Sequence, residues 1–185
     1  MSNAKKTSGT ESQKVIPMEM HAIDSAPANG YSDRWKMLSI LLAGIFLAPL
    51  DFFIINVAMP SIRADLQAND SEMQLITSAF SISYAVFLLM GGRLGDTFGR
   101  RRTFLCGLAG FLGSSAICAL AWSPLILILG RILQGISASI MVPQGLASIH
   151  TVFPDHEKPR ALGLYSATYG LASVLGQVLG GVLIA

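Results

Sequence analysis

Two ionisable residues interrupt otherwise uncharged apolar runs: Asp51, in a run that starts near Met37, and Arg131, in one that starts near Leu125. A carboxylate placed in hydrocarbon needs a cation or water beside it, and it can take up and release a proton. A guanidinium stays charged at any accessible pH. Together they would make a centre that exchanges a proton or a cationic ligand, provided the chain brings them together. Their depths permit it: counted back from Pro60 and Pro124, both lie about 10 to 14 Å below one membrane surface at the helical rise. The alternative use of the same residues is a purely structural ion pair.

A second constellation lies between two apolar runs, in Gly91-Gly92-Arg93-Leu94-Gly95-Asp96-Thr97-Phe98-Gly99-Arg100-Arg101-Arg102. Its glycines predict a tight turn with unusual backbone angles, and they frame Asp96 close to three arginines. Ion pairs that form in one conformation and break in another would make this loop a gate. A solvated loop that only sets topology is the alternative. Other reactive residues are uninformative. Cys106 and Cys118 share one apolar run, where about 18 Å of helical rise keeps them from bridging. His21, His150 and His156 fall in the tail or in a loop. No Ser-His-Asp, metal-ligand or phosphate-loop spacing occurs, so neither an enzyme nor a cofactor is implied. A net charge of +2, with basic residues beside apolar runs instead of along one face, argues against a nucleic-acid partner.

The elements that would position these residues are membrane spans. The chain is 52% hydrophobic and 13% charged, with a mean hydropathy of +0.55, whereas a soluble domain carries about a quarter charged residues. Residues 1–34 are rich in Ser, Lys, Ala, Asn and Pro without apolar periodicity and predict a disordered cytosolic tail. The first apolar run begins only after Trp35 and Lys36, too far in for a cleavable signal. Five spans are expected at 37–60, 73–91, 103–121, 125–149 and 161–185, each near the length needed to cross about 30 Å of hydrocarbon. Lys5, Lys6, Lys14, Arg34, Lys36, Arg93, Arg100, Arg101, Arg102, Lys158 and Arg160 then fall on one side, and Arg63 on the other. Positively charged loops stay in the cytoplasm, so the amino terminus is expected inside. The fifth span stops at an apolar end without a polar flank, as a fragment expecting further helices would.

Four segments resemble the major facilitator superfamily. Gly92-x-Leu94-Gly95-Asp96-x-x-Gly99-Arg100-Arg101 is similar to its cytoplasmic loop signature between the second and third helices, with Thr97 where a basic residue is common. Leu129-Gly130-Arg131-Ile132-Leu133-Gln134-Gly135-Ile136-Ser137-Ala138 resembles its fourth-helix motif, whose arginine is tied to proton coupling. Leu50-Asp51-Phe52-Phe53-Ile54-Ile55-Asn56-Val57-Ala58-Met59-Pro60 resembles the first-helix motif of the 14-helix drug:proton antiporter branch, with Phe53 in place of the usual threonine. The fifth span, with Gly163, Gly176, Gln177, Gly180 and Gly181, resembles the antiporter motif ending in Gly-Pro-x-x-Gly-Gly, with Gln177 where the proline stands.

The resemblance implies an all-α polytopic membrane protein, a partial amino-terminal helix bundle of a carrier at residues 35–185. Its sixth helix and carboxyl-terminal half would be missing partners. It implies export of lipophilic or cationic compounds driven by protons through Asp51 and Arg131. Gly92, Asp96, Gly99, Arg100 and Arg101 would gate the cytosolic side, and the fifth-span glycines would form a helix contact. The cytoplasmic (inner) membrane would be its location, with lipid, protons and a small-molecule substrate as partners. A carrier of a metabolite such as an organic acid, sugar or siderophore is the nearest alternative. A non-transporting membrane interaction module is a more distant one.

Overall fold

The computed structural model describes residues 28–184, which form five helices and no strand. They are α1 (Ala28–Leu66), α2 (Asp70–Phe98), α3 (Arg100–Ala119), α4 (Pro124–Val152) and α5 (Lys158–Ile184). Each is long and apolar enough to cross a membrane. Residues 1–27 of the expected tail and Ala185 lie outside the described residues, and the expected tail boundary at 34 falls inside α1.

Most of the helices outrun the expected spans, two of them through places where the sequence suggests breaks. Pro60 was expected to end the first span, yet α1 carries both Pro49 and Pro60 in its interior and continues to Leu66. An internal proline forfeits one backbone hydrogen bond and crowds the carbonyl four residues back, but membrane helices tolerate the loss where neighbouring helices support them. The glycine-rich loop is the second correction. α2 runs through Gly91, Gly92 and Gly95 to Phe98, and the chain turns only at Gly99, where φ is +88°. Three of the four glycines are therefore helical, and two of these serve close packing instead of turning.

Local signals fix the helix ends at one side of the bundle. Asn69 accepts from the Glu72 amide and the Glu72 carboxylate accepts from the Asn69 amide, both at 2.9 Å, which starts α2. Ser123 accepts from the Ile126 amide at 3.4 Å ahead of Pro124, which starts α4. Both arrangements satisfy amides that have no partner within the helix.

α4 is the central helix, packed against α2 and α3 and touching α1, while α1 packs along α5. Leu41, Ile45 and Ala48 of α1, Phe80 of α2, Phe104 and Phe111 of α3, and Ala138 and Met141 of α4 form the main core. Leu89, Trp122 and Leu183 are exposed by 82, 80 and 77%; in an aqueous protein they would be an aggregation hazard, and in lipid they are solvated. Since lipid is as apolar as leucine, close approach of small residues replaces the hydrophobic effect between helices. Gly107 brings α3 against α4, where an added Cβ would lie 2.9 Å from the Met141 nitrogen. At Gly91 it would run into the Ser139 carbonyl. Gly91→Ala is therefore expected to force α2 from α4 at a cost of about 1–3 kcal/mol. Gly92→Ala, with open space beside it, is expected to be neutral. Thermal unfolding of the full-length protein in detergent checks both.

Candidate functional site

Arg131 and Gln134 are one turn apart on α4, so both project to the same face. That face meets α1 at Asp51. Arg131 Nη1 donates to Asp51 Oδ2 at 2.5 Å and to Gln134 Oε1 at 2.9 Å, and Gln134 Nε2 donates to Asp51 Oδ1 at 2.9 Å. Both carboxylate oxygens are thus occupied by α4 donors. The Phe80 ring of α2 lies 4.6 Å from the guanidinium carbon, a distance at which the ring face attracts a cation. Arg131 is 1% exposed, whereas the Asp51 side chain retains 19%. Arg131 Nε is buried and has no hydrogen-bond partner among the described residues. Cys118 of α3 extends the cluster, its thiol donating to Gln134 Oε1 at 3.4 Å.

The energetics make this a conditional arrangement. Two charges taken out of water cost several kcal/mol each, offset by their attraction only when both are present and bonded. Protonating Asp51, or bringing another cation to it, therefore weakens what holds α1 to α4 at this depth. Gln134→Leu would leave Asp51 Oδ1 and Arg131 Nη1 each short of a partner. Loss of a buried hydrogen-bonding partner costs about 1–3 kcal/mol, and unfolding in detergent is expected to show a loss of that size.

A cavity of about 240 Å³ lies beside the cluster, lined by Pro49, Phe52, Phe80, Tyr84, Val142 and Tyr169 among others. Phe80 thus faces both the cavity and Arg131. Aromatic walls with two phenol groups suit a flat or cationic lipophilic molecule.

Around Gly99, Asp96 pairs with Arg100 at 3.5 Å. The Arg100 guanidinium also donates to the Ala147 carbonyl and the Thr151 hydroxyl of α4. Arg101 and Arg102 point to the outside and take no part in an ion pair among the described residues. Gly95 lies against the Gln144 side chain, and Gln144 Nε2 donates to the Gly91 carbonyl at 2.7 Å. This segment is therefore clamped to α4. Gly176 and Gly180 of α5 face α1: a Cβ on Gly176 would lie 2.8 Å from the Leu50 carbonyl, and one on Gly180 would lie 2.9 Å from Val57 Cβ. Gly163 and Gly181 meet open space, and Gln177 is exposed.

Two buried amides, Gln134 and Gln144, had been given no role from sequence. Part of the signal was available: each is an amide in an apolar run, and Gln134 stands three positions after Arg131, whereas the partners of Gln144 are backbone carbonyls. Phe80 gave no such signal, since its place under Arg131 depends on how α2 packs.

Residues 41–185 match the profile of the Major Facilitator Superfamily. The chain belongs to that superfamily. As a superfamily member with five membrane-crossing helices, it is a multi-pass membrane protein, and its bundle is part of the superfamily's amino-terminal domain. It is similar to a probable actinorhodin transporter of Streptomyces coelicolor, 40% identical over 83% of this chain and 27% of the relative. It is also similar to a tetracenomycin C resistance and export protein of Streptomyces glaucescens, 35% identical over 90% of this chain and 31% of the relative. A puromycin resistance protein of Streptomyces alboniger is 37% identical over 87% of this chain and 32% of the relative. The chain thus spans about a third or less of the length of these superfamily members.

Proposed function

We propose that the full-length protein is a proton-coupled exporter of lipophilic or cationic drugs or toxic compounds. The observation that carries this reading is the Asp51, Arg131 and Gln134 cluster, hydrogen-bonded across α1 and α4 beside an aromatic cavity. The relatives named for antibiotic export and resistance support the same class of cargo. Asp51 is the group that binds a proton or a cationic ligand, since it is the carboxylate in the cluster and keeps some exposure. Arg131 holds the deprotonated form, and Phe80 and Gln134 keep the guanidinium compensated when the carboxylate is neutral. A change of charge on Asp51 thereby changes which arrangement of α1 and α4 is preferred, as coupling requires.

The protein sits in the cytoplasmic membrane with its amino terminus inside. Arg93, Arg100, Arg101, Arg102, Lys158 and Arg160 gather at the α2–α3 and α4–α5 end, against Arg63 at the other; the positive-inside rule favours that orientation. Asp96 and Arg100, bonded to α4, form a cytosolic latch that opens and closes with the carrier. Gly92, Gly99 and Arg101 supply the spacing and charge around it, while Gly176 and Gly180 are the sliding contact of α5 on α1. The rest of the cargo site comes from the second half of a carrier built of repeats. No cofactor takes part.

Inverted membrane vesicles containing the full-length protein test this reading. Lipophilic cations are expected to release protons from the vesicles and collapse an imposed pH gradient. If no lipophilic compound does so, drug export fails and a metabolite carrier replaces it.

A further inference from the structure

Asp51 also lines a second cavity, of about 390 Å³, that shares no lining residue with the aromatic one. It runs between α1, α3 and the start of α4, and its lining reaches the α1–α2 and α3–α4 connections. Asp51, Ile54, Ile55, Ile62 and Asp65 all line it from α1. Their spacings place them on one helix face, so the cavity follows α1 for about 21 Å between the two carboxylates. Asp65 stands exposed at the far end. It has no ion pair among the described residues, whereas the neighbouring Arg63 is held by Asp70 at 2.6 Å. From α3, Ser115 and Cys118 add polar groups to the wall, and Cys118 bonds to Gln134, which in turn holds Asp51.

We propose that this cavity is the route by which protons reach Asp51 from the Asp65 end, with Asp65 as the residue that collects them, separate from the cavity that takes the exported compound. The proposal rests on the proton-coupled reading given above. The volume admits several waters, each of which needs polar partners to be stable there, and the two carboxylates, Ser115 and Cys118 provide them. A proton from bulk water neutralises the Asp65 carboxylate. Asp65 gives it to cavity water and returns to its charged form, and the hydrogen-bonded water delivers one proton to Asp51 Oδ2. The bond from Arg131 to that oxygen breaks, while Gln134 keeps Oδ1. The other titratable and charged groups on the surrounding elements are Arg63, tied to Asp70; Glu72, engaged in the α2 cap; Cys118; and Arg131. Asp65 is therefore the carboxylate at the mouth that no partner occupies. A charged cleft raises the local concentration of its counter-ion by about tenfold or more, which sets the size of the expected effect.

The test uses the full-length carrier in right-side-out vesicles, with Cys106 and every cysteine beyond this segment replaced by Ser. A membrane-impermeant cationic methanethiosulfonate added outside is expected to modify Cys118 and slow export. Asp65→Asn is expected to lower the export rate about tenfold in mildly alkaline medium and little in mildly acidic medium, where bulk protons suffice, and Asp65→Glu to restore it. Failure of the reagent to reach Cys118 from outside, or a pH profile unchanged in Asp65→Asn, overturns the proposal. Asp51→Asn separates the two levels. If it abolishes coupling while Asp65→Asn behaves as wild type, only the route fails; if it leaves coupling intact, the proton-coupled reading fails and the route with it.

Discussion

Asp51→Asn is expected to abolish proton-linked export, lowering the coupled rate by roughly 10² or more, the range typical of removing a positioned proton-transfer group. The substitution is nearly isosteric. An asparagine oxygen can still accept from Arg131, so the bond at 2.5 Å has a structural substitute, whereas the asparagine NH2 faces the Gln134 NH2 and regains a partner only if the Gln134 amide flips. What asparagine cannot do is gain and lose a proton. Binding of a neutral lipophilic compound in the aromatic cavity, which Asp51 does not line, is expected to survive. Proton release on addition of substrate, read beside equilibrium binding in detergent, checks the split. Loss of both would mean that the cluster is structural.

Arg131→Met is expected to cause the largest loss of stability in the bundle. Methionine fills much of the volume but removes the donor to Asp51 Oδ2, the donor to Gln134 and the cation over Phe80. Removing one partner of a buried pair costs about 3–5 kcal/mol, because the other charge is left uncompensated; the 19% exposure of Asp51 puts the expectation at the low end. Arg131→Lys keeps the charge but not the planar fork that serves two acceptors, so it is expected to recover only part of the loss. The double variant Asp51→Asn with Arg131→Met is expected to be more stable than the sum of the single losses predicts, the mark of direct coupling. Strict additivity in detergent unfolding would show that the two residues do not depend on each other.

Much of the architecture was legible in the linear order because a membrane imposes few choices. Every backbone polar group must be satisfied within its own segment, so five long apolar runs read directly as five helices. That Asp51 and Arg131 could meet was equally legible, since helical rise converts residue number into relative depth, although Pro60, from which Asp51 was counted, lies inside α1. Helix ends were less so. Pro60 and the glycines of 91–99 are breakers by local rule, and the chain keeps its helix through all but Gly99. Packing overrode propensity there: Gly91 and Gly95 give up a side chain so that α4 can approach.

The sequence by itself determined the class of molecule, the five apolar helices, and a carboxylate and a guanidinium at depths that let them meet. Which faces meet was decided only in three dimensions. The rotation of α4 about its axis brings Gln134 with Arg131 onto Asp51, sets Phe80 beneath the guanidinium, and presents Ala147 and Thr151 to Arg100 of α3, while Arg101 and Arg102 stay exposed. Helix rotation in lipid follows from which small residues allow close contact and which polar groups find partners across it. Those are properties of pairs of helices, and no single segment contains them.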